Sequence, residues 1–354
     1  MARSIIVIHP GALGDVLLAV PALRWVKKKF PDHRIQLISN ESVGRLLLEC
    51  RLIDAWMSVH GTLCAELCSG SVCESIEIRQ WLKACDLAVV WMKDEDQALT
   101  AALSSCGVAE IRIQSPFSPQ LKARHQSDRF LETLGAATAD LPVDEPLQLS
   151  TCVLEQGRAS RVSMGISTDQ PLALIHPGSG SPHKCTSAAV LAEVIEAISL
   201  EGLYPLVIEG PADEAAIEQL VRLVSARYAV LRDLELSALA GVMTQALVYI
   251  GNDSGLTHLA ALLGVPTIAL FGPTDQEQWA PRGTHVVVLR GTPCVCRFWE
   301  AVRRCEDKPC LAISVEVILA AVRSIIRYGL NNTTPRNPSQ YALSQPTSYA
   351  KVPS

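Results

Sequence analysis

The chain has no excess of positive charge: 31 Lys and Arg stand against 36 Asp and Glu, for a formal net charge of -5. Without a basic field that would release counterions from phosphates, nucleic acid is excluded as an expected partner. No uninterrupted apolar run reaches 18 residues, so no membrane-spanning helix is expected. The first apolar stretch, Ile5-Ile6-Val7-Ile8, stops at His9-Pro10 and is too short for a secretory signal. The dinucleotide fingerprint Gly-x-Gly-x-x-Gly is also missing. The first glycine turn carries Gly11 and Gly14 in Gly-x-x-Gly spacing, and no acidic residue ends the second strand, which argues against a Rossmann-type oxidoreductase.

What is present is core-forming material. Of 354 residues, 49% are apolar and 19% charged, and the mean hydropathy is +0.23, which excludes a disordered, collagen-like or coiled-coil chain. At about 100–200 residues per domain the length predicts two domains. Only residues 331–354, rich in Asn, Thr, Pro, Ser and Gln, are expected to be a disordered tail. Twelve cysteines in a large chain without an export signal read as reduced thiols, either core residues or metal ligands.

Short apolar runs alternate with Gly-containing turns and stretches of helical spacing, the pattern of βα units on a parallel sheet. Strands are predicted near Ile5–His9, Ile35–Ser39, Ala55–Val59, Leu87–Trp91 and Glu110–Ile113, then near Leu172–His176, Tyr204–Glu209, Leu247–Gly251 and Thr267–Phe271. A long first helix is predicted over Gly14–Lys29, and a last ordered helix near Ser314–Tyr328. Val7-Ile8-His9-Pro10-Gly11 and Leu174-Ile175-His176-Pro177-Gly178 echo one another, so two similar α/β domains follow, joined by a polar, Pro-containing linker over residues 137–171. The predicted division is 1–150, 151–312, and a helix at 313–330.

Three strand-to-helix turns carry the chemistry, since ligands of open α/β sheets bind at the carboxyl ends of strands. In His9-Pro10-Gly11-Ala12-Leu13-Gly14-Asp15, the glycines permit a tight turn and Asp15 stands at a helix mouth, either as a proton acceptor or as a helix cap. In His176-Pro177-Gly178-Ser179-Gly180-Ser181-Pro182-His183-Lys184, exposed amides and an ammonium suit a diphosphate; a flexible loop with a surface lysine is the alternative. In Gly251-Asn252-Asp253-Ser254-Gly255-Leu256-Thr257-His258, small residues let phosphate oxygens approach the helix amides, Asp253 suits sugar hydroxyls, and His258 is a ligand-side group or a satisfied core histidine.

Taken together, these turns resemble those of the family nine glycosyltransferases, the ADP-heptose:lipopolysaccharide heptosyltransferases and their relatives. The match extends through Pro21-Ala22-Leu23 in the first half and through Gly264-Val265-Pro266-Thr267 to Gly272-Pro273-Thr274 in the second. The resemblance implies an α/β fold of the GT-B type: two Rossmann-like domains with parallel sheets facing across a cleft, acceptor on the first, nucleotide-sugar on the second, and the last helix crossing back to the first. It implies an inverting, metal-independent transfer of heptose or a related sugar from an ADP-sugar to a lipopolysaccharide or lipid-linked glycan acceptor. Asp15 would be the base and Lys184 the group stabilising the departing ADP. Gly11, Gly14, His176, Gly178, Ser179, Asp253, Ser254, Gly255, Leu256 and His258 would bind substrate, with Glu214 on the ribose. The implied location is the cytoplasm, with peripheral contact at the inner membrane. A non-catalytic nucleotide-sugar sensor of the same fold is the alternative. Two departures stand out: many relatives have Trp directly after the lysine where this chain has Cys185-Thr186, and the usual Thr of the third turn is Ser254.

Cys294, Cys296, Cys305 and Cys310 fall within seventeen residues, a density that suits a structural tetrathiolate site for zinc or iron; four reduced, partly buried thiols are the alternative. Cys64, Cys68 and Cys73 form a looser group. Asp94-Glu95-Asp96 is read as a solvated loop. Arg24, Lys27, Lys28, Lys29 and Arg34 are read as a solvated helix end, with a contact to anionic lipid headgroups as the sharper alternative.

Overall fold

A computed structural model describes residues 3–69, 76–116, 124–137, 139, 145–296 and 298–331. Residues 332–354 of the predicted tail and Cys73 lie outside the described residues, and Asn331 ends the last helix. The first sheet holds β1 (Ser4–Ile8), β2 (Arg34–Ser39), β3 (Ala55–Ser58), β4 (Cys85–Val90) and β5 (Glu110–Ile113) in the order β3-β2-β1-β4-β5. The second holds β6 (Leu172–His176), β7 (Tyr204–Ile208), β8 (Ala229–Leu231), β9 (Val248–Asn252), β10 (Thr267–Phe271) and β11 (Val286–Arg290) in the order β11-β10-β9-β6-β7-β8. All pairings are parallel. Every residue of β1, β6, β7, β9 and β10 is buried, which explains why these strands read as unbroken apolar runs: helices cover both faces. Strand order reverses between β1 and β4 and between β6 and β9, and the three functional turns leave β1, β6 and β9 at these switch points.

One apolar cluster runs from Val7 and Leu17 of the first half to Leu174 and Leu259 of the second, so the two sheets share a core beneath the cleft. Beside it, Arg282 clamps Asp128 with two bonds of 2.5 and 2.7 Å, and His125 Nε2 meets the Ala280 carbonyl at 2.8 Å.

Two expectations of secondary structure are corrected. The long first helix is two, Leu13–Leu18 and Val20–Lys29. The chain re-nucleates at Ala19 because Pro21 lacks an N–H and fits only the first turn of the second helix. The expected linker contains a helix, Thr151–Ser163, capped by Ser150 and packed on helix Leu236–Met243. A methyl group on Gly157 would lie 2.1 Å from the Gly241 carbonyl carbon, so both glycines are needed for the crossing. Within the described residues the last helix, Val315–Asn331, packs on the second half: Ile318, Leu319, Val322 and Ile325 share a cluster with Leu191, Val194, Ile195 and Ile198 of helix Ala188–Leu200, and it contacts β9 and β10. Its apolar face matches the outer face of the second sheet, and Arg323 pairs with Glu201 at 2.5 Å. Contrary to the expectation of no such helix, the segment Pro309–Arg327, with an 18-residue window of mean hydropathy 1.9, is long and apolar enough to span a membrane; here the second sheet takes up its apolar face.

Candidate active site

The first turn is set by His9, buried at the end of β1 and edge-on to Phe130 (5.2 Å) and Trp91 (5.7 Å). Burial lowers its pKa to about 4, so the ring is neutral at pH 7 and its Nδ1 accepts the Gly11 N–H at 3.2 Å. A methyl group on Gly11 would lie 2.7 Å from the His9 ring and 2.8 Å from Asp15 Cβ, which keeps this turn a glycine turn. Asp15 follows in the first turn of helix Leu13–Leu18, where Oδ2 accepts the Ala12 N–H at 3.1 Å. Burial raises the Asp15 pKa; the Ala12 N–H and the charge of Lys184 oppose the rise, and Asp253 adds to it. Asp15 is thus both cap and cleft-facing carboxylate.

On the second half the two other turns interlock. Asn252 donates to the Pro177 carbonyl at 2.7 Å and accepts the Thr186 N–H at 2.9 Å, and the Ser179 hydroxyl donates to the Asp253 carbonyl at 2.6 Å. Ser254 caps helix Gly255–Leu262, accepting from the Thr257 N–H. Behind Ser254 lies a buried chain: its hydroxyl meets His176 Nδ1 at 3.2 Å, and His176 Nε2 meets Asp213 Oδ2 at 2.8 Å. Asp213 also accepts the Gly210 N–H at 2.7 Å. Burial pushes the Asp213 carboxyl up, but His176 and the Gly210 N–H outweigh it and hold the pKa below the usual range. Gly178 is required here, since a methyl group would sit 1.6 Å from Asp213 Oδ1. Lys184 Nζ pairs with Asp253 Oδ2 at 2.9 Å. His258 is buried and its pKa is lowered to about 4.

The halves meet where the two helix N-termini approach: a methyl group on Gly255 would lie 2.8 Å from Leu13 Cγ, and one on Gly14 would lie 3.2 Å from His258 Cδ2. Above this seam opens a cavity of about 700 Å3. Ala12, Gly14, Asp15 and Leu18 line it from the first half; Ser179, Gly180, Lys184, Asp253, Ser254, Gly255 and His258 line it from the second, with Pro273, Thr274, Asp275, Gln278, Trp279 and Trp299. Of the expected site residues, Gly11, His176, Gly178, Glu214 and Leu256 are not in its wall. Gly11, His176 and Gly178 stand behind it in the turns, and Glu214 is exposed at the start of helix Glu214–Val221. The residues after β10 were missed as site residues, although the rule that sites gather at strand ends applies to Pro273–Asp275. Trp279 and Trp299 had no local signal. Asp94 accepts the N–H groups of Leu99 and Thr100 at 3.1 and 3.0 Å, so it serves helix Ala98–Ser105 rather than a ligand. Of the four expected metal-site cysteines, Cys294, Cys296 and Cys305 have Sγ atoms within 4.8 Å of one another; Cys310 is buried and stands outside that group.

A carboxylate on one sheet thus faces a lysine and a capped helix N-terminus on the other, geometry able to take a proton on one side and hold an oxyanion on the other. The model of glycosyltransferase family 9 (heptosyltransferase) matches residues 114–300, more than half of the chain. The chain belongs to glycosyltransferase family 9. Lipopolysaccharide heptosyltransferase 3 of Escherichia coli K12 is 22% identical over 295 residues, covering 77% of this chain and 84% of that protein. The glycosyl transferase family 9 protein of Veillonella parvula superposes with a TM-score of 0.78 at 21% identity, over 92% of this chain and 97% of that one. The E. coli ADP-heptose lps heptosyltransferase II gives 0.71 at 17% identity, over 92% and 99%. These structures share the two-sheet GT-B fold of this chain.

Proposed function

We propose that this family 9 glycosyltransferase moves heptose, or a related sugar, from an ADP-sugar to a hydroxyl of a lipopolysaccharide-type acceptor, with inversion at the anomeric carbon. The observation that carries the reading is that Asp15 of the first half and Lys184, Ser254 and Gly255 of the second line one cavity. The names of the relatives, a lipopolysaccharide heptosyltransferase and an ADP-heptose enzyme, support the choice of donor and acceptor class.

In this reading the acceptor oxygen attacks the anomeric carbon from the Asp15 side while the bond from that carbon to the β-phosphate oxygen breaks on the other. The hydroxyl proton passes to Asp15, and the electron pair of the broken bond leaves with ADP. Burial raises the Asp15 pKa, which makes its carboxylate a better proton acceptor than an ordinary aspartate, and such a base typically contributes about 10²–10⁴-fold. The charge growing on the diphosphate is offset by Lys184 and by the free N–H groups opening helix Gly255–Leu262. On binding, Lys184 exchanges Asp253 for phosphate oxygens, which releases the Asp253 carboxylate to sugar hydroxyls. Transfer by this route draws on no metal. Glu214, exposed at the start of helix Glu214–Val221, is proposed for the ribose. The exposed Lys28 and Lys29 are the proposed contact with anionic headgroups at the cytoplasmic membrane face; Lys27 instead donates to the Arg51 carbonyl.

The test is incubation with a panel of ADP-sugars and truncated lipopolysaccharide acceptors, with product detected by mass spectrometry and its anomeric configuration read by NMR. A product of inverted configuration is expected. ADP-sugar binding without transfer to any acceptor would favour a sensor, and retained configuration would exclude direct displacement.

A further inference from the structure

The loop from Gly291 to Leu311 has almost no core. Val295 is 93% exposed and Phe298 75%, and within the loop only Val302, Cys310 and Leu311 are buried among its apolar side chains. Among its described residues the helices are the short Trp299–Arg303 and the single turn Pro309–Leu311. Such a segment needs a cross-link to hold one conformation. The loop nevertheless makes two contacts that matter to the cleft. Trp299 lines the cavity with its ring centroid 6.0 Å from Lys184 Nζ, and Lys308 Nζ donates to the Pro182 carbonyl at 3.1 Å, at the start of the turn that ends in Lys184.

Three thiols are gathered to supply the cross-link, and a fourth follows on the next turn. Cys294 Sγ lies 2.8 Å from Cys296 Sγ and 3.9 Å from Cys305 Sγ, and the three sulfurs lie within 4.8 Å of one another. A tetrathiolate with metal–sulfur bonds of about 2.3 Å has edges of about 3.8 Å, so this spacing needs only small sulfur movements to enclose an ion. Cys310, on the single turn Pro309–Leu311, is within interaction range of Cys294, and its carbonyl accepts the Gly291 N–H at 2.9 Å, tying the group to the end of β11. An all-sulfur donor set selects zinc or iron over magnesium or calcium. Cys296 and Cys305 lie on either side of Trp299 in the chain.

We propose that Cys294, Cys296, Cys305 and Cys310 bind one thiophilic divalent cation, and that this ion, by pinning the loop on both sides of Trp299, holds the indole against Lys184 and so sets nucleotide affinity. The cation is structural and takes no part in transfer. The second half of the proposal rests on the ADP-sugar reading of the cavity.

The test uses the full chain, purified under reducing conditions and loaded in parallel with zinc or with ferrous iron. Metal content is measured by plasma mass spectrometry, and ADP affinity by calorimetry before and after chelation. About one ion per chain is expected, lost in Cys294→Ser/Cys305→Ser, with the better retained metal telling zinc from iron. Chelation should weaken ADP binding about three- to thirtyfold, the worth of one cation–π contact, and should have no further effect in Trp299→Ala. If the double variant does not fold by circular dichroism, the wild-type chelation arm decides. Less than a tenth of an ion per reduced chain after loading, or a Cys294–Cys296 disulfide as the stable form, overturns the cation site. An ADP affinity untouched by chelation, or equally reduced in Trp299→Ala, overturns the coupling. A loaded wild-type chain that binds no ADP overturns the donor reading and the coupling with it, while the metal count still decides the cation site.

Discussion

The buried chain Asp213–His176–Ser254 supports the donor side of the cleft without lining it, and its removal has a calculable cost. Asp213→Ala deletes the acceptor for two donors, the buried His176 Nε2 at 2.8 Å and the part-buried Gly210 N–H at 2.7 Å. A buried donor left unmade costs about 1–3 kcal/mol, the part-buried Gly210 N–H adds less, and breaking a buried pair by deleting one partner costs about 3–5 kcal/mol. We therefore expect a loss of about 3–5 kcal/mol for Asp213→Ala and about 1–2 kcal/mol for Asp213→Asn, which keeps an acceptor oxygen but loses the charge. The sign with pH follows from the lowered Asp213 pKa. A carboxylate held below its unfolded value stabilises the fold above that value and loses the contribution as pH falls through the folded one. The gap between wild type and Asp213→Ala should be full at pH 7 and narrow only below about pH 4. Urea unfolding followed by circular dichroism measures the gap, and ADP titration should show weaker binding once the Ser254 hydroxyl loses His176. An Asp213→Ala protein within about 0.5 kcal/mol of wild type, a difference ordinary at unstructured surface sites, would refute the reasoning.

Two further outcomes concern the cleft. The acid limb of the kcat/KM profile should lie above the ordinary aspartate value of 3.8, because burial raises Asp15, and Lys184→Ala should move it to still higher pH, because the Lys184 charge opposes that rise; a limb that stays in place would mean that the two groups do not sense each other. Gly255→Ala places a methyl group 2.8 Å from Leu13 Cγ and should lower turnover by spreading the seam, with Leu13→Ala in the same chain restoring part of it; no loss, or no rescue, would show that the seam does not position Asp15.

The strands were legible because helices bury both faces of both sheets, which forces unbroken apolar runs such as Leu172–His176. β8 and β11 escaped notice because they lie at the ends of the second sheet and are only partly buried, so Ala229–Leu231 and Val286–Arg290 lack flanking contrast. Helix Thr151–Ser163 hid behind Gly157 and its serines, residues that read as linker until Gly241 is seen to need the gap. The last helix was correctly found as a helix, but where its apolar stripe docks is a property of the second sheet, not of the stripe. In the cleft, the strand-end rule brought Asp15, Lys184, Asp253 and Ser254 to notice. It was silent about Asp213, which is one position away from the acidic residue singled out, Glu214, and differs from it in pointing into the fold toward His176. Trp299 was beyond reach, because its loop is placed by contacts with Pro182 and Lys184 more than a hundred residues earlier.

The central claim is that Asp15 takes the acceptor proton while the second half holds the nucleotide. Asp15→Asn tests it most directly, since the amide oxygen can still accept the Ala12 N–H and keep the turn. Transfer should fall about 10²–10⁴-fold while ADP binds as it does to wild type. Wild-type turnover in Asp15→Asn, or loss of ADP binding in step with turnover, would contradict the account.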